Sequence, residues 1–394
     1  MAERLANLGY LALKKEATEG TPVIPDVFVP LYSESFVTSI NLNEDNPIVG
    51  LREIRYQSMR GQRDHQGDIT VLGEPNTAGY LFDMLLKKGS TTGAGPYTHP
   101  FTLGESNSYT IEFLKGQVPM RYFGVKAKNV SVDFDDNKMT LTAGLTARKS
   151  FSVAEIGAIS GAGPFDITLA TDYGPSPTDG LVDTDIIRIY KADGTTIDTL
   201  ITTVDDATGL TIPASPDLAT VAAGDLVTLR GLTVSLSLQD PFLWARSEFR
   251  FGATASAALS ATHSPAEPGS KWNVINQILP DEGAKRSGSF DPATLPRGQG
   301  DIEASVKLFF DTPDDENRFR SIPKRALVIR HFGSAISSTD QEIRVTINHF
   351  NIATKPVPLS TGELIFEELE LKAEYDDSDA QMFDVTVINN VSSI

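Results

Sequence analysis

Five histidines, His65, His99, His263, His331 and His349, have the widest chemical reach in this 394-residue chain. A histidine can ligate a metal or carry a proton near neutral pH. No two of these stand as His-x-His or His-x-x-x-His, and cysteine is absent, so a zinc or iron site would need remote residues to converge. We read them as loop or surface residues. Gly-x-Gly occurs in RGQGDI and SGAGPF, but neither run opens a phosphate loop or a helix, and both read as turns. GAISGAG misses the Gly-x-Ser-x-Gly spacing of a nucleophile elbow. DTPDDEN gathers carboxylates without the alternation and glycine of a calcium loop, and reads as a helix start. Carboxylate pairs for glycoside hydrolysis can be drawn at will from 52 acidic residues, so no single pair is informative. Trp244 and Trp272 could stack on sugars, but lone tryptophans more often serve cores or interfaces. No catalytic, metal or cofactor constellation emerges, and the chain does not read as an enzyme.

The elements that would position any site are strands. With 31 Gly and 23 Pro and only 22% charged residues, the composition is that of short strands joined by punctuated turns. VSVDF puts Val130, Val132 and Phe134 on one face. LTVSLSL does so with Leu232, Val234, Leu236 and Leu238, and LELKAEY with Leu369, Leu371, Ala373 and Tyr375. Such alternation marks half-buried, mostly antiparallel strands. Asp193-Gly194 between two alternating runs predicts a hairpin. Helix is scarce. PNTAGYLFDMLLKKGS offers Asn76 or Thr77 as cap, a stripe of Ala78, Leu81, Phe82 and Leu85, and Lys87, Lys88 and Gly89 at the end. DTPDDENRFRSI, capped by Thr312, is a second candidate.

A net charge of −18 argues against a conventional nucleic-acid binder. No apolar run approaches a membrane span, and the opening MAERLANLGYLALKKEA is too weakly apolar for a signal peptide, so the chain is expected to be made and kept in a cytoplasm.

An internal repeat organises the chain. HQGDITV around Asp68 returns as GQGDIEA around Asp301, 233 residues on. YFGVKAKNV from Tyr122 returns as HFNIATKPV from His349, a shift of 227 that lays Phe123 on Phe350 and Val125 on Ile352. Between these anchors, YTIEFLKG parallels LVIRHFG. We therefore expect a mainly β protein of two tandem β-sandwich or barrel domains, residues 1–154 and 241–394, each with a short flanking helix. A small β-domain rich in Gly, Asp, Thr and Ala, residues 155–240, is inserted between them.

Lys14, Gly20-Thr21, Pro25, Phe28, Pro30 and SESF (Ser33–Phe36), followed by YTHPFTLGESNSYTIEF and the block through NVSVDFDDNKMTLTAGLTA, carry a resemblance. This pattern resembles the tail tube proteins of long non-contractile phage tails, closely over Leu8–Ser150 and more loosely from Phe249 onward. The resemblance implies a structural virion protein whose sheets join neighbouring sheets around a six-fold ring, with rings stacked into a conduit for DNA. An eight-stranded barrel is filled by side chains, so a bore for duplex DNA needs many more strands, and closure removes exposed sheet edges. With two copies per chain, three chains complete the ring as a pseudo-hexameric trimer; six chains with one tube domain each are the alternative. The proline-punctuated arm from Thr18 to Ser35, with Pro22, Pro25, Phe28 and Pro30, would lie on a neighbour. Two long polar loops would contact the next ring, with Arg52, Arg55, Arg60 and Arg63 of the first facing acids such as Glu282 near Arg286 in the second. The lumen would hold more Asp and Glu than Lys and Arg, so that DNA slides without sticking. Implied partners are the chain itself, a tape measure protein, tail terminator and distal tail proteins, and passing double-stranded DNA, with no membrane and no cofactor. The implied place is the virion tail, with assembly in the host cytoplasm. Competing readings are the inner tube of a contractile machine, a β-sandwich adhesin or carbohydrate-binding module, and, more remotely, a β-rich hydrolase.

Overall fold

Alternating apolar runs become strands when a second run can cover their backbone, and two such sets organise this chain. The computed structural model describes residues 9–45, 57–161, 164–170, 178–205, 208–213, 218, 220–279, 286–287, 289–309, 325–354, 356–357 and 365–394. The protein is mainly β: two tandem sandwich units with a smaller β-domain between them.

The first unit contains β1 (Leu11–Lys15), β2 (Val27–Val29), β3 (Leu31–Glu34), β4 (Val37–Asp45), β5 (Gln57–Leu72), α1 (Pro75–Leu85), β6 (Lys87–Lys88), β7 (Tyr97–Thr102), β8 (Tyr109–Lys115), β9 (Val118–Asp135), β10 (Lys138–Ala147) and β11 (Lys149–Phe151). The intervening domain contains β12 (Val153–Ser160), β13 (Phe165–Leu169), β14 (Ile186–Tyr190), β15 (Thr196–Leu200), β16 (Thr203–Val204), β17 (Gly209–Ile212) and β18 (Leu226–Leu229). The second unit contains β19 (Ser247–Gly252), α2 (Ala255–Ser260), β20 (Lys271–Ile278), β21 (Arg297–Phe309), β22 (Arg325–Ile336), β23 (Thr339–Thr354), β24 (Phe366–Glu374) and β25 (Phe383–Asn389).

The duplication is visible in the pairing. In the first unit β1 pairs β8, β8 pairs β9, β9 pairs β10, β10 pairs β5 and β5 pairs β4. In the second, β19 pairs β22, β22 pairs β23, β23 pairs β24, β24 pairs β21 and β21 pairs β20. The long strands β9 and β23 each serve both layers of their sandwich, changing partners along their length. Phe36 of one layer meets Phe113 and Tyr122 of the other, with ring centroids 5.8 and 4.5 Å apart. The ladders shift the second repeat anchor: Val132 lies opposite Leu141 as Ile352 lies opposite Leu371, which makes Val132, not Val125, the counterpart of Ile352. An alternating strand matches itself at many offsets, so sequence alone misplaced the register.

Two ladders fuse the units. β20 adds to the free edge of β9, with Trp272 opposite Val132 and Val274 opposite Val130. β7, from the first unit's long 86–108 connection, adds to β25 of the second. Helix α1 wedges between them, stacking Phe82 on Trp272 at 6.0 Å. Its expected apolar stripe is buried, but it starts at Pro75 with Glu74 as N-cap, and neither Asn76 nor Thr77 caps it. The Gln239 side chain instead accepts from the Asn76 N–H at 3.2 Å. At the other end Lys87 and Lys88 form β6, and the helix carbonyls are capped from the second unit. Arg297 donates to Met84 O at 2.8 Å and Asn276 Nδ2 to Leu85 O at 2.7 Å. Arg297 also donates to Ala127 O and Asn276 O, and burial lowers its pKa to about 10.

The intervening domain has its own seven-stranded sheet and a core that includes Ile156, Ile167, Ile187, Ile189, Leu210 and Val227. The Asp193-Gly194 hairpin is present as β14–β15, with Gly194 at φ 83°. Buried Arg121 ties this domain to the first unit, bridging Glu112 at 2.9 Å and Asp185 at 2.6 Å, while Tyr10 donates to Glu112 at 2.5 Å. Burial raises the Glu112 pKa against the opposing pull of Arg121. Gly180 sits at φ 94°, and a Cβ there would meet Phe151 at 2.6 Å, so this joint requires glycine.

Several expectations change. The histidines are not surface residues: His65, His99, His331 and His349 are buried on strands, and only His263 lies half-buried in a loop. LTVSLSL has no ladder partner among the described residues, and Val234, Leu236 and Leu238 are 48, 48 and 69% exposed. Tyr375 falls past the end of β24 and is exposed. The loop preceding HQG is largely the β4–β5 hairpin, and α2 is a helix that the pattern missed. The DTPDDENRFRSI helix lies outside the described residues.

His331 is completely enclosed and accepts from Trp272 Nε1 at 3.1 Å, while its Nδ1 lies 2.7 Å from Ser247 Oγ. Burial lowers its pKa to about 3. The folded state therefore holds it neutral, so its contribution is complete above the unfolded pKa of about 6.5 and fades as pH falls toward 3. We expect chemical-denaturation stability to drop across this window, and the drop to be shallower in His331→Gln than in wild type. Arg297→Met, which strips three carbonyls of their donor, should cost about 3 kcal/mol in the same measurement.

Candidate functional site

The ladder between β9 and β20 makes one sheet of two. Its register runs Ser33–Thr70–Thr142–Ser131–Asn273–Glu303–Lys372–Asn351 across eight strands, every position polar. A neighbouring row reads Leu31–Val71–Leu141–Val132–Trp272–Ala304–Leu371–Ile352, every position apolar. Side chains of adjacent rows point to opposite faces. One face therefore packs on the core, and the other is an open polar wall crossing both units.

That wall is acidic. Along the same strands it presents Asp68, Asp133, Asp135, Asp301, Glu303, Glu368, Glu370 and Glu374, against Lys128, Lys138, Lys271, Lys307 and Lys372. Short hydrogen bonds hold several of these flat on the sheet. Ser305 Oγ donates to Glu368 at 2.9 Å, Asn351 Nδ2 to Glu374 at 2.5 Å, and the Thr354 hydroxyl to Glu370.

The sheet ends in two open edges. β3 and β4 pair β5 on one side and, among the described residues, no strand on the other. In β23, pairing with β22 ends at Phe350, so Asn351–Thr354 carry β24 on one side only among the described residues. Exposed strand edges invite further strands.

The arm lies on its own unit in the single chain. Pro25 is buried, Pro22 and Pro30 are half-buried, Phe28 meets Tyr10 edge-on at 5.6 Å, and Pro30 O accepts from the Leu72 N–H. The first polar loop and the second lie side by side within one chain, a neighbourhood that the sequence did not reveal. Arg60 and Arg286 flank one cavity of about 470 Å³, and Arg63 donates its backbone N–H to Phe290 O at 2.8 Å. Arg63 also approaches Asp291 at 3.9 Å, and buried His65 contacts the same carboxylate at 3.2 Å. Arg52, Arg55 and Glu282 lie outside the described residues. The hairpin β4–β5 exposes Val37 and Met59 on one face and Ile40 and Leu42 on the other, and of these only Met59 falls within the stretch read as a polar loop. Groups of His, Cys, Asp and Glu able to hold a metal are absent among the described residues, and no helix there is long and apolar enough to cross a membrane.

A duplicated sandwich whose fused sheet presents a polar wall and two open edges is built to be continued by further strands. The family model described as phage tail tube protein matches residues 6–373, and the chain belongs to that family. It is a structural protein of the virion tail and self-assembles into a tube. No curated protein matches the chain.

Asp291 anchors the second loop to the hairpin. Asp291→Ala should raise amide hydrogen exchange at Arg63 and cost about 1–2 kcal/mol of stability, since it leaves buried His65 short of a partner.

Proposed function

We propose that three copies join edge to edge into a closed ring, and that stacked rings form the tube of a long non-contractile tail through which DNA is ejected. The observation that carries this reading is the β9–β20 ladder: the chain already contains one unit-to-unit junction, and its repeat symmetry prescribes the next. Trp272 and Asn273 occupy on β21 the places that Leu31 and Ser33 occupy on β5, just as Val132 and Ile352 correspond. Repeating the junction therefore sets Ser33 of one copy against Asn351 of the next. Three chains supply about 24 strands around the bore, far more than a side-chain-filled barrel contains.

In this ring the acidic wall faces inward and repels the phosphate backbone, so DNA passes without specific binding. The domain spanning 155–240 projects outward, where it would crowd a contractile sheath, which favours the sheathless tail. Tape measure, terminator and distal tail proteins would meet the bore and the tube ends. Six chains with one tube domain each remain the competing stoichiometry, and the mass of a single ring decides between them.

The chain has no cysteine, so engineered thiols report cleanly. Ser33→Cys combined with Asn351→Cys should yield an interchain disulfide on oxidation and a covalently closed trimer on a denaturing gel. Monomer only, under conditions where rings form, would refute the register. Replacing Asp301, Glu303 and Glu370 by lysine should leave tubes intact but make them retain duplex DNA at low salt, measured by co-sedimentation.

A further inference from the structure

The junction between the two units is more than a ladder. Val132 lies opposite Trp272, and two residues further along β9 Phe134 reaches into the second unit. Its ring packs 5.1 Å from Trp244 and 5.3 Å from His331, and His331 stacks on Trp272 at 6.2 Å. The seam therefore has an apolar plug packed beside it. Trp244 precedes β19, so part of this socket is built by a connecting segment.

Leu31 takes in the first unit the place of Trp272 in the second. Beside Leu31 lies a cavity of about 820 Å³ whose walls include Phe28, Phe113, Leu114, Val234 and Leu236. Val234 and Leu236 belong to the connecting segment Leu232–Gln239, which is fixed at both ends. The Leu232 N–H donates to the Tyr10 hydroxyl at 2.8 Å, and the Gln239 N–H donates to Glu74 at 3.3 Å. Again a connecting segment supplies a wall, as Trp244 does beside Phe134. Glu34 and Lys115 at the rim pair with each other at 2.7 Å, so the cavity offers a guest mainly apolar surface. The same symmetry names the guest. Val132 corresponds to Ile352, so the β23–β24 end of the second unit corresponds to the β9–β10 end of the first. There the Glu368 N–H donates to Pro356 O at 3.1 Å, which carries the chain past Thr354 to half-buried Val357. Ile365, just before β24, continues the alternation of buried Leu369 and Leu371 and is 44% exposed.

We infer that this cavity is a socket for the β23–β24 end of a second copy, with Val357 and Ile365 as the plug that Phe134 provides within the chain. The inference rests on the ring reading above and adds a side-chain contact to its backbone seam. A strand edge accepts almost any strand, whereas an apolar socket beside it admits one end of one chain and rejects a slipped or foreign strand. It also gives the exposed Val234 and Leu236 a partner.

The test uses the full-length chain, with Val234→Glu and Leu236→Glu together in one variant and Ile365→Glu in another. All three side chains are exposed, so thermal unfolding of the unassembled chain should stay unchanged. Each variant should raise the protein concentration at which rings form by at least about tenfold, the effect of withdrawing one buried apolar side chain from the contact. Leu236→Lys combined with Ile365→Glu should recover part of that loss. Leu236→Cys combined with Ile365→Cys, treated with a short bis-maleimide, should link the copies of an isolated ring to one another. Rings of the Val234/Leu236 variant at the wild-type concentration, links only between stacked rings, or a defect confined to binding another tail protein would overturn the inference. The ring reading would survive each of these, because the Ser33→Cys/Asn351→Cys disulfide tests it separately. Failure of that disulfide in assembled wild-type-like rings would sink the proposed seam and the socket with it.

Discussion

Everything in this protein depends on a strand edge finding another strand edge. A buried backbone amide without a partner costs about as much as a lost hydrogen bond, so an edge is covered, exposed to water or completed by a neighbour. Within the chain the β9–β20 ladder completes one edge, and the β7–β25 ladder completes another. These two pairings place Trp272 over Phe82 and bring Arg297 and Asn276 to the carbonyl end of α1. Helix α1 is thus held at both ends by groups distant in sequence, because its own flanking residues supply neither cap.

Charge is distributed by the same logic. Ions inside the protein are paired where they join parts that must not move: Arg121 between Glu112 and Asp185, Lys126 with Glu19, and Lys15 with Asp83. A buried pair gives little net stability but is costly to break, which suits joints better than cores. The open wall keeps its acids in water instead, where ionisation is inexpensive and their mutual repulsion is screened by salt. Acidity that composition reports as a single number therefore divides into two physical roles.

Much of the architecture was legible in the residues. Alternation at Val130, Val132 and Phe134 and at Leu369 and Leu371 named real strands, and Ala78, Leu81, Phe82 and Leu85 named the buried side of α1. The return of Asp68-Ile69 as Asp301-Ile302 revealed the duplication. What failed did so for identifiable reasons. Period-two patterning has no unique register, so it could not decide whether Val125 or Val132 answers Ile352. Strand segments with mostly polar residues on both faces, as in the last three residues of β4 and the first half of β5, read as loop. Histidine was read as a surface residue because single-residue habits ignore that His331 can be satisfied by Trp272 and Ser247 from two other strands. LTVSLSL was read as a strand of the fold because local alternation does not say whether a partner strand lies beside it, and among the described residues none does.

The covalent link between the two sandwich units also has a kinetic meaning. Because β9 and β20 share one polypeptide, their meeting is unimolecular and proceeds at the same rate in a dilute cell as in a crowded one. In a ring closed edge to edge by three chains, as proposed above, half of the seams would be closed before any molecule encounters another, and only the remaining half would obey mass action. Growth of such a ring would respond less steeply to concentration than growth from single-unit building blocks, and the spacing between the two units of one chain is set by the β9–β20 ladder.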